Sequence, residues 1–205
     1  KTVNAFCNPK VYNVTFDLNG GKLSGSEEGS ISRNVKGFED ILDVLDTSLI
    51  RKDGLFLAGW FDSAEGGNEV NFLTSDITVY AHYVELPYKY WLDAEKIPHL
   101  EITFNPEDFG LSPVSVEYVT AACAYTGWST EDPEMKRGED NLFRIEYSGN
   151  EISSMWPGFK FVVNGDKWLG PNNGYKYRKT LPEDYCFLDD KGNINFLISE
   201  LSGNL

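Results

Sequence analysis

Short runs in which apolar and polar residues alternate, each stopped by a glycine-bearing turn, recur along this chain and restrict it to strands with one buried face. In the clearest of them Tyr12, Val14, Phe16 and Leu18 alternate with Asn13, Thr15 and Asp17, and the run stops at Asn19-Gly20-Gly21. Residues 55–61 and 77–83 read as further strands, the second alternating Ile77, Val79, Ala81 and Tyr83 with Thr78, Tyr80 and His82. Between them Phe38, Ile41, Leu42, Leu45 and Leu49 fall at helical spacing, with Glu39, Asp40 and Asp43 near the start, so this stretch predicts one amphipathic helix. Thirteen Phe, eleven Tyr and five Trp against two Met agree with strands over helical bundles.

From residue 85 to 99 the alternation lapses at Pro87, Pro98 and Tyr88-Lys89-Tyr90-Trp91, which reads as a short aromatic linker. After it come strand candidates at 101–104, 114–122, 142–147, 159–163 and 193–198, with turn residues between them and no helical pattern. The expectation is mostly β: an α+β module over 11–84, then an immunoglobulin-like antiparallel sandwich over 100–200. Asn164-Gly165 predicts a tight hairpin that puts Trp168 on the returning strand.

Charge and residue usage narrow the function. With 18 Lys and Arg against 32 Asp and Glu, the net charge of -14 has the wrong sign for a nucleic-acid partner. No segment approaches the roughly 18 apolar residues of a membrane span, so no membrane insertion is expected. The chain begins at Lys1 and carries no signal peptide, which reads as an excised piece of a larger protein. Cys7, Cys123 and Cys186 lack metal-ligand spacing, and His82 and His99 are the only histidines, so neither metal nor cofactor is expected. A disulfide between Cys123 and Cys186 competes with buried free thiols, and the thiols are preferred. Nucleophile elbow, Walker loop and dinucleotide fingerprint are all missing, and acid pairs such as Glu131-Asp132 and Asp189-Asp190 sit in ordinary acidic loops. A non-catalytic role is expected.

Two resemblances add to this. VTFDLNGG at 14–21, GLFLAGWF at 54–61 and TSDITVYAHY at 74–83 resemble the Listeria-Bacteroides, or internalin B type, repeat. That resemblance implies a β-grasp-like module of secreted or cell-surface bacterial proteins, acting as spacer or adhesive unit, with Trp60 in its core. The second half, through GWSTEDPEMKRGEDNLFRIEY at 127–147, GFKFVVNGDKWLGP at 158–171 and DKGNINFLI at 190–198, is similar to starch- and glycogen-binding modules. The matching positions are Trp128, Lys160, Trp168 and Asn195, and the implied partner is an α-glucan.

Sugar binding needs exposed aromatic rings for the CH face of the sugar and polar neighbours for its hydroxyls. Strand pleating supports part of this independently: Phe159, Phe161 and Val163 share one face and leave Lys160 on the other, while Ile194, Phe196 and Ile198 leave Asn195 pointing away from the core, toward solvent. Trp156, before Pro157-Gly158, and Tyr175, in Gly174-Tyr175-Lys176-Tyr177, are further candidate contacts. The competing reading is a surface adhesin or spacer whose modules bind a protein partner or other modules of the parent protein.

Overall fold

The computed structural model describes residues 8–25, 29–155 and 157–198, and the chain divides between Val84 and Glu85 into two units. Six strands build the first: β1 (Val11–Asp17), β2 (Lys22–Leu23), β3 (Ser30–Lys36), β4 (Ile50–Lys52), β5 (Leu55–Phe61) and β6 (Ile77–Val84), in the sheet order β2-β4-β5-β6-β1-β3. β1 and β6 run parallel side by side, and the other pairs are antiparallel. This β-grasp-like arrangement buries the alternating side chains Val14, Phe16, Val79 and Ala81 with Trp60, whose ring meets Phe16 edge-on at 4.8 Å.

The three motifs of this unit have physical reasons. The backbone of Asn19 and Gly20 turns at positive φ. Asn19 then ties the turn down, its amide donating to the carbonyls of Ala64 and Ala81. A Cβ on Gly21 would collide with the hydroxyl of Tyr83, which donates to the Leu18 carbonyl at 2.7 Å. Asp76 accepts the Asn13 N–H at 2.9 Å and so pins the start of β6 beside β1.

The amphipathic helix does not form. In its place stand two single 3-10 turns, Ile41–Asp43 and Thr47–Leu49. Asp40 accepts the Leu42 N–H and Asp46 the Ser48 N–H, so each aspartate opens a new turn by bonding the local backbone, and Asp46 itself is extended. Ile41 and Leu45 are buried as the spacing implied, but Phe38 is exposed.

The second unit is a sandwich of two antiparallel sheets. One has the order β10-β11-β8-β7, from β7 (Tyr88–Leu92), β8 (Pro98–Phe104), β10 (Lys136–Arg137) and β11 (Phe143–Ser148). The other contains β9 (Val119–Cys123), β12 (Gly158–Val163), β13 (Lys167–Leu169), β14 (Cys186–Leu188) and β15 (Ile194–Leu197). One edge of β12 pairs with β9. The opposite edge is shared, with β15 along Gly158 and Phe159 and β13 along Phe161 to Val163. Between the sheets lies a cluster of aromatic rings, with Phe104 of β8 4.9 Å from Phe161 of β12, and Phe109, Phe196 and Tyr175 in contact around them.

Two expectations change here. Residues 85–99 are not a linker: β7 and β8 form a hairpin, with Tyr88 buried and its hydroxyl donating to the Leu197 carbonyl at 2.6 Å. Pro98 takes the first position of β8, where a missing N–H is tolerated, so the prolines that looked like a boundary only delimit strands. A short helix, α1 (Asn150–Met155), also occurs where the sequence showed no helical pattern.

Cys123 and Cys186 are free. Cys123 pairs with Phe159, Phe159 with Phe196, and Phe196 with Cys186. Three strand spacings of about 4.8 Å therefore separate the two cysteines, well beyond the roughly 7 Å that a disulfide spans. Burial pushes the Cys186 thiol up to about 11, which suits an unreactive thiol.

Candidate functional site

The hairpin β12–β13 sets the site. Asn164 and Gly165 turn it with positive φ at both residues, and Val162 pairs with Trp168 on the returning strand. Phe159 and Phe196 are ladder partners and turn their rings into the aromatic cluster. The pleat therefore sends Lys160 and Asn195 to the opposite face. Phe187 of β14 is the ladder partner of Asn195 and shares that face.

On this face a cleft of about 590 Å³ is lined by Trp128, Lys160, Trp168 and Asn195, a volume within the roughly 300–1,000 Å³ usual for small-molecule sites. Phe187 and the loop from Asp189 to Asn193 complete the lining. Trp128 and Trp168 are 40% and 39% exposed, so each presents part of its indole to the cleft while the rest packs. Lys160 and Asn195 are only 7% and 1% exposed. This differs from the pleat expectation, which put them in open solvent. They form the floor of a cleft whose walls cover that face.

The backbone around Trp128 is unusual. Gly127 and Trp128 both have φ of 61°, a conformation that costs a bulky side chain about 1–3 kcal/mol. The loop is held there by bonds from Trp128 N–H to the Cys123 carbonyl at 2.9 Å and from Ser129 N–H to the Thr126 carbonyl. Strain of this kind concentrates at binding sites, because a fixed ring loses little entropy when a ligand stacks on it.

At the floor, the Asn195 amide nitrogen donates to the carbonyls of Phe187 and Asn193, which fixes the orientation of the group. Its Oδ1 is buried without a hydrogen-bond partner, a condition that ordinarily costs about 1–3 kcal/mol unless a ligand or water satisfies it. Among the described residues no carboxylate reaches ion-pair distance of the Lys160 ammonium. Burial lowers its pKa below the ordinary lysine value, and the more distant Asp189 offsets part of that. The Lys160 stem passes Gly170, where a Cβ would stand 3.1 Å from Cε and 2.6 Å from the Ile194 carbonyl oxygen.

The loop at the rim is preorganised. Asp189 accepts from the N–H groups of Lys191 and Asn193 and from the Asn193 amide. Burial raises the pKa of its carboxyl, but the bonds from Asn193 and Lys191 outweigh this and hold it below the usual range. Lys191, Asp190 and Asn193 also line the cleft; they lie within the DKGNINFLI stretch, where the resemblance matched only Asn195. The remaining two candidates stand elsewhere. Tyr175 is 4% exposed and belongs to the aromatic core, its ring 5.3 Å from Phe196; burial holds its hydroxyl well above the ordinary tyrosine value. Trp156 lies outside the described residues. Among the described residues no group of three or more His, Cys, Asp or Glu is placed to hold a metal ion.

Neither the curated proteins nor the solved structures include a match to this chain. Residues 12–82, the span of the first unit's sheet, match the model of the Listeria-Bacteroides repeat domain, a family found in extracellular bacterial proteins.

Proposed function

We propose that the second unit is a non-catalytic glycan-binding module of an extracellular bacterial protein, spaced or carried by the first unit. The observation that carries this reading is the convergence of two half-exposed indoles on one cleft whose buried floor holds an unpaired ammonium and an unpartnered amide oxygen. Rings of this kind stack on the apolar face of a sugar, and the floor groups hydrogen-bond its substituents. Lys160 and Lys191 balance Asp189 and Asp190 in the lining, which favours a neutral sugar over a uronate or sulfated one. The resemblance of about residues 112–199 to starch- and glycogen-binding modules supports the same reading and implies α-glucan as the ligand class. Asp189 is engaged by its own loop, which suits a structural carboxylate better than a general acid.

Calorimetry with soluble glycans of α- and β-linked types, including glycogen and maltoheptaose, tests the reading. Saturable heat is expected with at least one of them, and Trp168→Ala should weaken it about tenfold or more, the worth of one stacked ring. If the folded wild-type protein binds none, the proposal fails.

A further inference from the structure

The chemistry of the cleft floor narrows the ligand. We infer that the floor reads an acetamido group, so that the cleft is built for a glycan of 2-acetamido sugars in place of the α-glucan that the resemblance implies; this rests on the glycan-binding reading alone.

Three strands present a row of side chains. Asn195 of β15 stands opposite Phe187 of β14 in the ladder. The register that pairs Phe159 with Phe196, carried one residue further, brings Lys160 of β12 to the other side of Asn195. Opposed side chains of this kind stand about 5 Å apart. The row therefore reads cationic donor, acceptor, apolar ring. An acetamido group has a carbonyl, an N–H and a methyl in one rigid plane, with the methyl beside the N–H. Its carbonyl would accept from the Lys160 ammonium, its N–H would donate to Asn195 Oδ1, and its methyl would lie against Phe187.

Each partner meets a need of the floor. Two carbonyls engage the Asn195 amide nitrogen, which leaves Oδ1 as a buried acceptor without a partner on a residue that lines the cleft. Lys160 has no carboxylate at ion-pair distance and gains from a strong neutral acceptor, which an amide carbonyl is. A pair of glucose hydroxyls can meet both polar groups, but it leaves Phe187 without an apolar partner. A sugar carboxylate would satisfy Lys160 and leave Asn195 Oδ1 facing a second acceptor.

The test compares, on the full chain, N-acetylglucosamine trimer, cellotriose, glucosamine trimer and maltotriose by calorimetry. The first three share one linkage and differ only at the 2-substituent. The acetylated trimer is expected to bind about tenfold or more tightly than the others, the discrimination a site gains by leaving a buried polar group unpaired with the wrong ligand. Saturation-transfer NMR should show the acetyl methyl as the most strongly saturated ligand proton, and Phe187→Ala should reduce that signal. Asn195→Leu, checked for folding by circular dichroism, should abolish the preference. Equal or tighter binding of maltotriose or cellotriose overturns the inference while leaving a glycan cleft. Equal binding of the deacetylated trimer also overturns it, since the 2-substituent would then not be read. Binding of no glycan at all removes this inference and the reading beneath it together.

Discussion

Asn195 shows how a single buried side chain separates a structural from a binding role. Its amide nitrogen makes two long bonds of 3.4 Å, and its Oδ1 makes none. A buried unpaired acceptor costs more than a modest hydrogen bond returns, so this oxygen gives the fold little stability. Asn195→Leu, which has nearly the same shape, is therefore expected to unfold within about 1 kcal/mol of the wild type in a denaturant titration while the preference for the acetylated trimer is lost. A loss above about 2 kcal/mol would mark Asn195 as a structural residue. Pleat alternation placed Lys160 and Asn195 on one face and hairpin chemistry placed Trp168 on the returning strand without knowledge of the partner sheet, whereas Trp128 came only from the resemblance to starch- and glycogen-binding modules. The depth of these side chains was not legible. Lys160 and Asn195 are covered by loops that follow β13 and β14, and no local pattern reports that cover. Tyr175 was misleading for a related reason: Gly174 and Lys176 beside it resemble a surface loop, yet its ring closes the aromatic cluster.

At the level of elements, the strands with strict alternation were readable and the helix was not. In residues 38–49 the apolar spacing is helical, but Asp40 and Asp46 each capture a nearby N–H, and two such captures within seven residues end every turn after it begins. The hairpin β7–β8 was hidden by two prolines, although Tyr88, Tyr90 and Leu92 alternate within it. This hairpin and β11 also carry a titratable cluster. His99 of β8 bonds Glu146 at 2.9 Å and Asp93 at 3.4 Å while its ring stacks on Trp91 at 5.2 Å. The Glu146 bond is the largest effect and desolvation, which opposes it, the next; the Asp93 bond and the charges of both carboxylates then leave the histidine pKa raised above its ordinary value. A raised folded-state pKa means that the stabilisation is complete below the unfolded value of about 6.5 and is lost as pH climbs through the folded value. The wild type should accordingly exceed His99→Gln in denaturation midpoint at about pH 6, with the difference shrinking toward about pH 8.5. A difference that holds constant or widens over that interval would refute the assignment.

Across the whole molecule, the division at Val84 gives each unit a core of its own, Trp60 and Phe16 in one and the aromatic cluster in the other. The family match over residues 12–82 ends just short of that division. Where the second unit starts is therefore a structural question with an energetic answer. A fragment of 85–205 keeps β7, which pairs with β8 over five residues and sends the Tyr88 hydroxyl to the Leu197 carbonyl of β15. A fragment of 100–205, cut where the sequence alone suggested the boundary, lacks that strand, strips β8 of a neighbour and uncovers Phe159, whose ring Tyr88 meets edge-on at 6.1 Å. Removing a buried aromatic alone costs about 3–5 kcal/mol, much of the roughly 5–15 kcal/mol that holds a domain together. The longer fragment should show a cooperative thermal transition and bind whatever glycan the intact chain binds. The shorter one should lack that transition. A cooperative, binding-competent 100–205 would show that β7 is dispensable and return residues 85–99 to the role of a connector.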